Sequence, residues 1–176
     1  TNGFSSKTLD QSKIIFSSNE KSYNLGDNKT LKVVLTAKSN GIQLQKTYIF
    51  KKDSYTISVN QKVTNVNSNA ISGYFYGRII RTSVGETKSS IVDVHSYSTY
   101  TGTVLSSNKD HYQKESATDI KDAPNSTVEI GTTNGWAAMV QHYFISAWVP
   151  LDSNNTENFT LFSTTNGKDS YSTGSY

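Results

Sequence analysis

Leu31, Val33 and Leu35 alternate with Lys32 and Thr36, the period of two expected of a half-buried strand, whose successive side chains point to opposite faces. Ser39-Asn40-Gly41 follows, and Asn-Gly is a strong hairpin signal because both residues tolerate positive φ. The returning strand carries Ile42, Leu44, Tyr48 and Phe50 in one phase, and Lys51-Lys52-Asp53-Ser54 makes the next turn. Tyr55, Ile57, Val59 and Val63 then alternate with Thr56, Ser58, Asn60, Lys62 and Thr64. After a turn over 65–69, residues 71–80 form another strand with three consecutive aromatics, Tyr74-Phe75-Tyr76. Four strands joined by short turns predict an antiparallel meander with one apolar and one polar face.

The pattern is looser on either side. Residues 1–12 read as a polar loop with isolated Phe4 and Leu9, and Ile14-Ile15-Phe16 as a short buried strand. Ile91, Val92 and Val94 suggest a strand, and 97–104 an extended Thr/Tyr-rich segment. Residues 109–122 mix Lys, Glu, Tyr and His without a clear period, which fits an irregular loop or a single helical turn; removing parts of Ser106 to Asp122 should leave folding intact. Strands are expected again at 128–130 and 159–162, while 135–150 is the densest apolar and aromatic stretch. Both of its phases are apolar, as in a strand covered on two sides by packed sheets, so Trp136, Tyr143, Phe144 and Trp148 read as core.

Composition fixes the class and removes several chemistries. Charged residues are only 18% of the 176, so polarity comes from Ser, Thr and Asn, which with eleven Tyr favour strands and turns over helices. The chain reads as all-β. A net charge of +3 with no basic run longer than a pair argues against nucleic-acid binding. No cysteine is present, which excludes disulfides and thiolate chemistry. His95, His111 and His142 lack metal-ligand spacing, and no nucleophile elbow or phosphate-binding glycine loop occurs. Asp110, Glu115, Asp119 and Asp122 cluster in sequence but alternate with Lys109, Lys114 and Lys121, the pattern of a solvated charged loop. No catalytic, cofactor or metal residue emerges, and the chain is not expected to be an enzyme.

One stretch carries a family resemblance: Gly135-Trp136-Ala137-Ala138-Met139-Val140-Gln141-His142-Tyr143-Phe144-Ile145-Ser146-Ala147-Trp148-Val149-Pro150. With Gly135, Trp136, Met139, Gln141, Tyr143, Phe144, Trp148 and Pro150 in place, it resembles a segment of the large first periplasmic domain of bacterial YidC-type membrane protein insertases. Lys46-Thr47-Tyr48-Ile49-Phe50-Lys51 followed by Tyr55-Thr56-Ile57-Ser58-Val59 is similar to a hairpin of that domain. Tyr100-Thr101-Gly102 with Tyr112-Gln113-Lys114 resembles a third segment, in the same order.

The resemblance implies an antiparallel β-supersandwich related to galactose mutarotase, forming one periplasmic domain over 1–176 and incomplete at both ends. It implies a parent anchored in the bacterial inner membrane whose helical bundle performs insertion, with or without the Sec translocon. This domain would then be an accessory that meets Sec translocon accessory subunits and nascent membrane proteins, without a cofactor. The mutarotase-like fold also leaves open a carbohydrate-binding or aldose-epimerase-like sandwich, and the Ser/Thr/Asn/Tyr bias a surface adhesin.

Overall fold

The computed structural model describes residues 1–82, 100–141, 143–151, 156–165 and 169–175, which form two compact units, Gly3–Phe75 and Thr1–Asn2 with Tyr76–Tyr176. Of the sequence expectations, the strand at Ile91–Val94 and the histidines His95 and His142 lie outside the described residues.

In the unit Gly3–Phe75, strands β2 (Thr30–Ser39), β3 (Ile42–Lys51) and β4 (Ile57–Asn65) form an antiparallel sheet in the order β2-β3-β4. Asn40 and Gly41 connect the paired residues Ser39 and Ile42, both with positive φ (49° and 71°), as the Asn-Gly signal predicts. Ala37, Ile42 and Leu44 are buried on one face beneath Phe4 and Leu9, with Ile14, Phe16, Val63 and Ile71 packed around them. The first twelve residues are therefore more than a loop. Phe4 and Leu9 anchor that core, the Gln11 amide donates to the Phe4 carbonyl, and the Phe4 and Phe75 rings sit 5.3 Å apart. The strand expected at 14–16 is absent: only an isolated bridge pairs Ser17 with Thr36, and Ile15 is exposed.

The other unit is a sandwich of two antiparallel sheets. One follows the order β1-β5-β12-β11-β8, from β1 (Asn2–Ser5), β5 (Tyr74–Thr82), β8 (Thr127–Thr132), β11 (Glu157–Thr165) and β12 (Asp169–Ser175). Within it, Thr1 and Arg78 exchange two hydrogen bonds of 2.7 Å. The second sheet, β10-β9-β6-β7, uses β6 (Gly102–Ser106), β7 (Gln113–Glu115), β9 (Trp136–Gln141) and β10 (Phe144–Trp148). Leu105, Ala137 and Met139 from the second sheet meet Phe159 and Leu161 from the first, with Ile79, Val128 and Ile130 around them and Ile120 of helix α1 (Ala117–Asp122) completing the cluster. The all-β class expected from composition and periodicity is present, and with it the sandwich that the resemblance implies; the four-strand meander is not, because β5 joins a different sheet from β2-β3-β4.

Residues 109–122 are also better organised than their mixed composition suggests. Ser116 and Asp119 form a capping box, the Asp119 amide donating to Ser116 Oγ and the Ser116 amide to the Asp119 carboxylate, both at 3.1 Å. That box starts α1 and directs Ile120 into the core, where it is 1% exposed.

Candidate functional site: a hairpin with an open edge

The stretch 135–150 is not one strand covered on both faces. It folds back as the hairpin β9–β10, with Gln141 paired to Phe144 and only residues 142 and 143 between them. Tyr143 holds φ at 75°, a left-handed conformation that costs a non-glycine residue roughly 1–2 kcal/mol. No Asn-Gly or Asp-Gly pair announces this turn, which is why periodicity alone reads through it. β9 lies inside its sheet, and Ala137, Ala138 and Met139 are buried. Among the described residues β10 is the terminal strand, paired only to β9.

That placement corrects the core reading of Tyr143 and Phe144. Tyr143 is 88% exposed, Phe144 77% and Ile145 61%, because nothing described covers the far side of a terminal strand near its turn. Gln141 is also exposed, while Trp136, Trp148 and Pro150 are half-buried. Trp148 lies toward the other sheet, where a Cβ on Gly77 would come within 2.7 Å of its ring. Glycine at 77 is thus what lets the indole settle on β5.

Gly135 has an equally specific reason. A Cβ there would strike the Thr132 methyl, reach 2.6 Å from the Ser106 carbonyl oxygen and 3.1 Å from the Phe159 ring. The hairpin therefore enters the sandwich through a passage only a hydrogen side chain fits.

Trp136 packs at a tilt against Tyr112, centroids 6.5 Å apart, and the Lys114 ammonium lies 5.1 Å from the Tyr100 ring and 5.9 Å from that of Tyr112. The Tyr100 hydroxyl bridges the carbonyls of Thr103 (2.5 Å) and Glu115 (3.0 Å), tying β6 to β7. Burial is the main cause that pushes the Tyr100 phenol up to about 12. The neutral phenol is therefore favoured by folding. Above pH 10 the unfolded chain loses this proton while the folded chain keeps it, so stability should fall as pH rises from 10 to 12. Thermal melts should show a shallower decline over that range in Tyr100→Phe.

Sequence reasoning also missed Thr103. Its Oγ1 is buried on the core side of β6 with no hydrogen-bond partner among the described residues. Thr103→Val keeps the shape and removes the unsatisfied hydroxyl, so denaturant unfolding should show a gain of about 1 kcal/mol. A loss of that size would reveal a partner for the hydroxyl.

Three of the four carboxylates of the 109–122 segment are engaged locally, and the fourth, Asp122, is exposed. Asp110 accepts from the Tyr112 amide at 3.1 Å, Glu115 from the Gln113 amide nitrogen and Asp119 serves the capping box, while His111 is exposed. Among the described residues no group of three His, Cys, Asp or Glu is placed to hold a metal ion. What the site offers is an apolar, aromatic strand edge beside a packed sandwich, suited to holding an extended chain.

Comparison with known proteins agrees with this architecture. The family model of the YidC periplasmic domain matches residues 1–176. The protein named Membrane protein insertase YidC of Legionella pneumophila (strain Lens) is 39% identical over 149 residues, covering 83% of this chain and 26% of that protein. Its namesake in Cupriavidus metallidurans is 43% identical over 120 residues, 68% of this chain and 20% of that one. That of Ralstonia nicotianae is 36% identical over 143 residues, 81% and 25%. The chain thus spans about a quarter of the length of these relatives. No solved structure matches it significantly. With its motif residues gathered on one hairpin of a periplasmic β-sandwich, the chain belongs to the YidC periplasmic domain family, which stands on the periplasmic face of the bacterial inner membrane.

Proposed function

We propose that this chain is a single accessory domain of a membrane protein insertase, acting by binding rather than catalysis while inner-membrane proteins insert and fold, with or without the Sec translocon. The observation that carries the reading is the terminal strand β10, with Tyr143, Phe144 and Ile145 exposed at its start. An extended segment of a nascent membrane protein can pair along such an edge through main-chain hydrogen bonds, with the aromatics holding its apolar side chains. In this reading the motif residues divide the work. Gly135, Met139 and Trp148 fix the hairpin in the sandwich, Trp136, Gln141 and Pro150 flank it, and Tyr143 and Phe144 touch the client. Sec translocon accessory subunits are the second class of partner, suggested by the family alone.

The test is a benzophenone photocrosslinker at Phe144 of the membrane-embedded parent during synthesis of an inner-membrane client. Client adducts are expected at Phe144 and not at exposed Lys109. Equal yields at the two positions, or none at Phe144, would remove β10 as the client site.

A further inference from the structure

The two units carry opposite charge. Gly3–Phe75 holds ten lysines, no arginine and four carboxylates, a net +6, whereas the rest of the chain holds seven basic and ten acidic residues, a net −3. The sheet β2-β3-β4 sharpens this asymmetry. In antiparallel register, directly opposed residues share a face. Thr30 opposes Lys51; Lys32 opposes Ile49, which opposes Ser58; Thr36 opposes Gln45, which opposes Lys62; Lys38 opposes Gln43, which opposes Thr64. One face of the sheet therefore displays Lys32, Lys38, Lys51 and Lys62, all exposed, and no carboxylate.

Lys32 and Lys38 are six residues apart on one strand, about 20 Å at strand rise. Lys52 follows at the end of β3, its amide bonded to the Lys29 carbonyl at 2.9 Å. Asp27 and Asp53, beyond the strands themselves, line a cleft at that end together with Thr30, Lys51 and Lys52. Lys46 belongs to the opposite, apolar face, where its ammonium lies 4.4 Å from the Phe16 ring. An ordinary solvated face mixes both signs. Four lysines without an acid, spread over a broad face, match a broad anionic surface better than a single charged group.

We propose that the lysine face of β2-β3-β4 docks on the anionic phospholipid surface of the membrane beside which this family's domain stands. Each lysine near such a surface adds a small attraction, and several together give reversible peripheral binding. The proposal goes beyond the accessory reading and does not use β10, so the failure of either leaves the other standing.

The test is cosedimentation of the 176-residue chain with phosphatidylcholine vesicles, with and without phosphatidylglycerol. Binding is expected only to the anionic vesicles, and should be lost between about 0.1 M and about 1 M NaCl as the Debye length falls from ~10 to ~3 Å. Lys32→Gln/Lys62→Gln should lower partitioning about 30-fold, at about fivefold per lysine. Lys109→Gln/Lys121→Gln, with the same change in net charge, should leave it unchanged, circular dichroism confirming both folds. Absence of binding to anionic vesicles, equal binding to neutral ones, or equal loss in both double variants would overturn the proposal. Retention on immobilised polyglutamate without vesicle binding would assign the face to an acidic polypeptide, with the same consequence.

Discussion

Phe159→Ala is expected to lower unfolding free energy by about 3–5 kcal/mol, read as a shifted denaturant midpoint with unchanged slope. Phe159 is fully buried on β11, opposite Ile130 of β8, and its ring approaches the backbone at Gly135. It thus lies where the two sheets of the sandwich meet, and truncation would leave a cavity lined by Leu105, Met139 and Leu161 that neighbouring strands cannot collapse to fill. Phe144→Ala supplies the contrast. That ring is 77% exposed, so its loss should change stability by less than about 0.5 kcal/mol while removing client contact. Similar losses in the two variants would place Phe144 in the core and return β10 to a structural role.

The second large effect concerns a segment that its composition marks as dispensable. Ile120→Ala should destabilise the chain by about 2–5 kcal/mol, because Ile120 is 1% exposed and belongs to the same cluster as Phe159. Deleting Ser106 to Asp122 in part should be worse still, since β6 and β7 lie in that range or abut it and Ser106 and Ser107 are buried. Lys121→Ala, one position along the same helix and exposed, is the matched control and should fall within about 0.5 kcal/mol. Thermal melts of the two point variants settle the matter: equal melting temperatures would mean that α1 packs loosely and that the segment is a loop after all.

Local signals were legible wherever the chemistry is local. The Asn40-Gly41 turn is visible because two adjacent positive-φ residues need Asn and Gly, and the alternation of Leu31, Val33 and Leu35 because one sheet face is covered. Other features left weaker traces. Ser116-x-x-Asp119 is a readable capping pair, but its purpose, delivering Ile120, requires the core to be known. Tyr143 turns a hairpin with no turn residue to mark it. β12, whose sequence Asp-Ser-Tyr-Ser-Thr-Gly-Ser shows no apolar alternation, nonetheless pairs on both edges, with β11 and β5. Main-chain hydrogen bonds hold such a strand, and they leave no signature in side-chain type.

For the candidate site, the sequence determined which residues matter as a group: the aromatic stretch from Gly135 to Pro150 carries the family resemblance and its composition demands a strand. It could not determine which of those aromatics face inward. Met139 and Phe144 are equally apolar, and burial depends on whether another strand or sheet lies beside each one. Only the tertiary structure placed β9 inside its sheet and β10 at its edge. The same pairing gathered Lys32, Lys38, Lys51 and Lys62 from three strands onto one face. Periodicity is a property of one segment, whereas an edge or a charged face is a property of neighbours brought together from distant parts of the chain.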